Sequence, residues 1–140
     1  MSGFEIAGVI LGAFPILISA LKGYGELARK VGHWSSIRQE YQKCKNEINA
    51  QHVEFIGNLR RLLLTLGVDD ARISRLLAGP GGEEWKDADL AYQLQDHLRD
   101  SYDVFLGTIQ DMNKAMEDLK KEIIIDSENL RQKIEQTKVG

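Results

Sequence analysis

From residue 6 to residue 21 the chain carries no charge at all, IAGVILGAFPILISAL, and Glu5 is the one charge in the longer run that begins at Phe4. Wound into a helix, this stretch shows Ala, Leu, Ile, Val and Phe on every face. That pattern predicts burial on all sides or contact with lipid. Pro15 has no N–H and disfavours helix at Phe14, so a kink or break is expected there, with Pro15 opening a second helix. The second helix is expected to run to about Val31, with Leu17, Leu21, Tyr24, Ala28 and Val31 on one stripe. Gly32 is its natural stop.

The rest of the chain is amphipathic. Ser36 and Gln39 have capping-box spacing, and a long helix is expected over about residues 35–66. Its apolar positions Trp34, Ile37, Tyr41, Cys44 and Ile48, then Phe55, Leu59, Leu62 and Leu66, recur at alternating steps of three and four. An extra step of four passes through His52, a stutter that locally unwinds a supercoil. Gly67 ends this helix. Asp69 or Asp70 then caps a short helix carrying Ile73, Leu76 and Leu77. The run Gly79-Pro80-Gly81-Gly82 is a loop. Asp87 caps a helix with Leu90, Leu94 and Leu98, and a small break is expected near Asp100. A second seam follows through Tyr102, Phe105, Ile109, Met112, Met116, Leu119 and Ile123. Past Ile125 the pattern weakens, and Asp126-Ser127 is read as the start of a last short helix with Leu130 and Ile134.

These elements predict an all-α fold, an antiparallel helical bundle with two long helices, a short connecting helix and an apolar N-terminal helix. Residues 1–125 form the bundle domain, and residues 126–140 a C-terminal helical extension or linker. A chain of 140 residues, 43% hydrophobic and 28% charged, is one folded domain with enough material for a core.

Charge changes the picture modestly. Residues 22–66 carry a net charge of +4 and residues 67–140 a net charge of −6, with an overall charge of −3. Opposite signs favour docking of the two halves, and the overall balance argues against general nucleic-acid binding. Lys43, Lys45, Arg60 and Arg61 form no stripe interleaved with aromatics. The single cysteine, Cys44, excludes an intramolecular disulfide and fits a reducing compartment. No basic residue precedes the apolar run, so the N-terminus does not read as a secretory signal, and it is expected to be retained.

Candidate chemistry is thin. His33, His52 and His97 have no second ligand at i+3 or i+4, and neither HExxH nor CxxC occurs. His52 and Cys44 both fall on the long-helix seam, where each reads as a packed residue rather than a ligand or nucleophile. Glu83-Glu84 follow the glycine-rich loop where a phosphate cradle would need Gly-Lys-Ser/Thr. The acidic pairs at helix starts answer the helix dipole. The chain is expected to be no enzyme and to need no cofactor or metal.

The question therefore returns to the apolar opening. Sixteen uncharged residues span about 24 Å as a helix, against about 30 Å for a bilayer core. Including residues 3–5 brings the length close, with Glu5 near an interface. Lys22, Arg29 and Lys30 would hold the following end on the cytoplasmic side. Gly8 and Gly12 form a Gly-xxx-Gly spacing that allows close helix approach, in lipid or in a soluble core. Spacing leaves core packing and membrane use both open.

The opening MSGFEIAGVILGAFPILISALKGYGELA resembles the HeLo-like domains of filamentous fungi, relatives of the HeLo prion-inhibition and propagation domain. The similarity extends through WSSIRQEYQKCKNEI, FIGNLRRLLLTLG, LLAGPGGEEWKD and SYDVFLGTIQDM, over about residues 1–125. The resemblance implies a helical bundle similar to that of mixed-lineage-kinase-like necroptosis proteins, cytoplasmic at rest. It implies a signalling or programmed-cell-death effector of the heterokaryon-incompatibility type. In such domains the apolar N-terminal helix is released on oligomerisation and permeabilises the plasma membrane. Carried onto this sequence, the membrane-insertion or assembly role falls on Phe4, Glu5, Ile6, Gly8, Val9, Ile10, Leu11, Gly12, Phe14, Pro15, Ile16, Leu17, Ile18 and Leu21. The implied partners are membrane lipid, a second copy of the chain and an effector domain in the same or another chain. The alternative is a non-catalytic interaction or oligomerisation module that keeps this helix in its core.

Overall fold

The computed structural model describes residues 1–139, and the side chains of residues 1–136. Gly140, the end of the expected C-terminal extension, lies outside the described residues. The fold is an all-α bundle with no strand among the described residues, as the periodicity predicts. Its helices are α1 (Gly3–Lys30), α2 (Trp34–Thr65), α3 (Asp70–Ala78), α4 (Ala88–Leu98) and α5 (Tyr102–Val139). Single 3-10 turns at Glu83–Lys86 and Arg99–Ser101 join the last three. Three of the five helices are long, because the N-terminal segment does not divide.

α1 runs unbroken through Pro15, where a kink or break is expected from sequence. Proline removes one intrahelical hydrogen bond. Pro15 itself faces water, while Leu11, Phe14 and Leu17 on the inner face keep the helix packed on both sides of it. Ser2 caps the start, its hydroxyl accepting from the Glu5 N–H at 3.1 Å. At the far end Gly32 adopts φ 70°. The His33 N–H bonds Ala28 O at 2.8 Å and the Gly32 N–H bonds Arg29 O at 3.2 Å, a Schellman ending. α2 ends the same way around Gly67, at φ 82°, with Val68 folding back into the core.

The capping box expected at Ser36 does not form. Trp34 is already helical, His33 occupies the cap position without a side-chain bond, and Ser36 lies inside the first turn. Trp34 is held instead by the Arg29 guanidinium, 4.0 Å from its ring centre, and by the edge of Tyr41. Asp69 and Asp87 cap α3 and α4 as expected. α5 continues without a break through Asp126-Ser127, where a new short helix is expected. Ser127 and Leu130 remain buried, so the inner face of the helix still has neighbours there.

Helix directions follow from the contacts. The α1 start meets the α5 start, where the Gly3 N–H donates to the Tyr102 hydroxyl at 3.0 Å. Leu21 and Tyr24 of α1 line a groove with Leu119 and Ile123 of α5. α1 and α5 therefore run in the same direction. α2 lies antiparallel to both, since Phe14 meets Phe55 and His52 while Leu21 shares a groove with Tyr41. The α3–α4 segment folds over the lower half of this three-helix frame only.

Two clusters make the core, and α1 contributes to both. The upper cluster joins Ile6, Ile10, Phe14, Leu17 and Leu21 to Tyr41, Ile48, Ile109, Met116 and Ile123. The lower cluster joins Phe4, Ala7 and Leu11 to Leu59, Leu63, Leu76, Trp85, Leu90 and Leu94. Leu63 is more deeply buried than the predicted seam residues Leu62 and Leu66, because the lower part of α2 faces α1 and the α3–α4 segment at once.

Gly8 is a close-approach glycine. A Cβ there would lie 2.6 Å from two atoms of the Trp85 ring system, and Trp85 is fully enclosed. Gly8→Ala is expected to destabilise the fold by about 1–3 kcal/mol through overpacking. Pro15→Ala restores a helix hydrogen bond at an exposed position and is expected to stabilise by up to about 3 kcal/mol. Urea unfolding of the two variants checks the opposite signs, and equal behaviour would contradict this packing.

Candidate functional site

The apolar opening is not enclosed on all sides. Phe4, Ile6, Gly8, Ile10, Leu11, Phe14, Leu17 and Leu21 are buried, with Ile10 at 0% exposure. Glu5, Gly12 and Ile18 are half-buried, and Val9, Pro15 and Ile16 face water. The uniform hydrophobicity therefore divides into a wide inner face and a narrow outer stripe. The stripe is apolar without being packed, with Val9 at 40% and Ile16 at 52% exposure. α1 also holds an 18-residue window of mean hydropathy 2.1, long and apolar enough to cross a membrane, and half of that window is buried within the bundle.

The inner face is locked at its N-terminal end by a strap, residues 79–87. Trp85 stacks obliquely on Phe4, ring centres 4.8 Å apart, and its Nε1–H donates to Leu76 O at 3.0 Å. The indole thus loses no hydrogen bond on burial. Outside it, Arg72 pairs with Asp87 and Arg75 with Glu84, the latter at 3.1 Å. Asp87 also accepts from the Asp89 and Leu90 N–H groups at the head of α4. The Arg72 hydrogen bond, with the Leu90 and Asp89 amides and the Arg72 charge, holds its carboxyl below the usual carboxylate range. Trp85 lies between the loop of residues 79–82 and the Asp87 cap, outside every element predicted from the apolar spacing. The available signal was a large aromatic set among glycines and charges, where nothing but burial accounts for it.

Open grooves flank the long helices. One of 560 Å³ runs between α1 and α5, bordered by Val9, Gly12, Ile16, Asn113, Glu117 and Lys120. A second, of 410 Å³, lies between α2 and α5 over Phe55, Leu59, Ile109 and Met112. A third, of 310 Å³, holds Tyr24, Tyr41, Cys44 and Asp126 near the far end of α1. Burial, then Asp126 and Glu40, push the Tyr24 hydroxyl pKa up, and burial with Glu47 does the same for the Cys44 thiol. Both groups are thereby kept protonated, which suits packing and disfavours nucleophilic chemistry. Among the described residues no group of three or more His, Cys, Asp or Glu could hold a metal ion.

His52 packs its ring on Phe14, centres 4.8 Å apart and nearly parallel. Desolvation lowers its pKa from an ordinary value of 6.5. Comparison with family models, with curated proteins and with solved structures finds no match.

A histidine pKa lowered in the fold contributes stability above its unfolded value and loses it as pH falls through the folded value. Stability is therefore expected to decline as pH drops below 6.5. His52→Phe should flatten that part of the profile while leaving the loss below pH 3.8, where Asp87 titrates. Denaturant midpoints measured from pH 7 to pH 2 check this, and an unchanged slope between pH 7 and pH 4 in His52→Phe would count against it.

Proposed function

We propose that the chain is a non-catalytic helical interaction module of the signalling type its opening resembles, with α1 kept in the core and the bundle surface used for docking. One observation carries this reading: the inner face of α1 is shared by both core clusters. Phe4, Ile6, Ile10, Leu11, Phe14, Leu17 and Leu21 together represent about 10–20 kcal/mol of apolar burial, at about 1.5–3 kcal/mol each. Net stability of a domain is only about 5–15 kcal/mol. Withdrawing α1 would thus cost as much as the whole fold holds. The surface offers apolar grooves with polar rims, the form that a helical partner or a second copy fits. The resting protein on this reading is cytoplasmic, which the lone unpaired cysteine suits.

The second reading is the cell-death effector implied by the HeLo-like resemblance, in which α1 leaves the bundle on oligomerisation and enters the plasma membrane. The apolar window in α1 and the exposed Val9 and Ile16 favour it. Lipid or neighbouring helices would then have to replace the lost burial, since a ligand shifts an equilibrium only by its differential affinity for the two states.

Dye release from phosphatidylserine-containing vesicles separates the two. The interaction module is expected to release no dye at micromolar protein, and deletion of residues 2–21 is expected to abolish cooperative unfolding. Release by the full chain that Leu11→Lys stops would overturn the first reading in favour of the second.

A further inference from the structure

The groove between α1 and α5 has the charge pattern of a surface made to meet itself. The α3–α4 strap stops at Gly12, where Pro80 Cβ would lie 3.5 Å from an added Cβ. Beyond that point no element among the described residues crosses the outer face of α1. Val9, Gly12 and Ile16 border one side of the groove. Gly23, two turns past Ile16, falls on the same helical stripe, and nothing lies within 4 Å of a Cβ added there. On α5 the groove is bordered by Asn113, Glu117 and Lys120. Ile124, one turn past Lys120 and 48% exposed, extends that row at helical spacing. Glu117 and Lys120 are exposed and make no ion pair among the described residues.

We propose that this face is the interface of a two-fold homodimer, with α5 crossing α5 and α1 crossing α1 of a second copy in antiparallel register. The reading rests on the interaction-module function above and names its partner. A two-fold axis in the plane of the face, level with residues 118 and 119, sets Glu117 opposite Lys120 of the second copy, and Lys120 opposite its Glu117. Asn113 then meets Ile124 of the second copy, and the reverse. α1 and α5 run in the same direction with a register offset of about one hundred, given by the Gly3–Tyr102 hydrogen bond. The same axis therefore passes beside Ser19 and sets the exposed Ile16 against the open space over Gly23 of the second copy. An isologous interface requires such self-complementarity, and charge pairs of this kind fix register while apolar contact supplies affinity. A single helix from an unrelated partner would have no reason to match both rows about one axis.

The test is sedimentation equilibrium of the full chain and three charge variants, with circular dichroism to establish that each remains folded. Wild type is expected at twice the 15.8 kDa chain mass. Glu117→Lys and Lys120→Glu each place like charges across the axis, and each is expected to weaken the dimer at least tenfold. An equimolar mixture of the two single variants, and separately the double reversal E117K/K120E, is expected to restore it. Restoration on mixing separates this interface from a pair within one helix, which mixing cannot repair. A monomeric wild type, a dimer indifferent to the single reversals, or failure of the mixture to recover would each overturn the proposal. A monomer would leave the interaction-module reading standing on its own vesicle test.

Discussion

Phe4, Ile10, Phe14 and Leu17 are cut off from water because α2, α5 and the Trp85 strap close on α1 from different sides. No other segment of the chain can satisfy that many apolar side chains. α1 in turn supplies the surface against which α2 and α5 become a bundle rather than a pair of amphipathic helices. The dependence is mutual. It explains why α1 stays helical across Pro15: one lost hydrogen bond is small beside the burial that a broken helix would forfeit.

The strap turns this packing into a specific arrangement. Trp85 fits α1 only because position 8 has no side chain, and it tolerates burial only because Leu76 O accepts its indole N–H. The Arg72–Asp87 pair then holds α3 against the head of α4 from outside, and the Arg75–Glu84 pair holds α3 against the strap's 3-10 turn. These pairs are partly exposed and contribute modestly in energy. Their effect is positional, since Asp87 caps α4 and pairs with α3 with the same carboxylate. The inner side of the lower half is thereby closed, while the outer stripe of α1 is left open at Val9 and Ile16.

Much of this architecture is legible in the pattern of apolar positions. The seams through Tyr41, Ile48 and Leu59 and through Ile109, Met116 and Ile123 reappear as core, and the caps at Asp69 and Asp87 form as their spacing implies. Local rules misled where tertiary contact overrode them. Pro15 signals a break that packing cancels. Ser36 and Gln39 signal a cap, yet Trp34 is drawn into the helix by Arg29 and Tyr41. Trp85 carries no periodicity, because a single residue in a 3-10 turn has none, and so the most enclosed aromatic in the chain is invisible to helical spacing. The division of residues 4–21 into an inner face and an outer stripe is equally hidden, since both are apolar and only the neighbours distinguish them. What the open stripe meets depends on surfaces outside one folded chain, which periodicity does not encode.

On the reading proposed above, α1 is an integral part of the core and not a detachable helix. Native-state hydrogen exchange across a denaturant series measures this directly. The amides of residues 7–14 are expected to exchange only through global unfolding, with the same free energy and denaturant dependence as those of residues 48–63 in α2. Exchange of residues 7–14 through an opening several kcal/mol below the global value, with α2 and α5 still protected, would contradict the account.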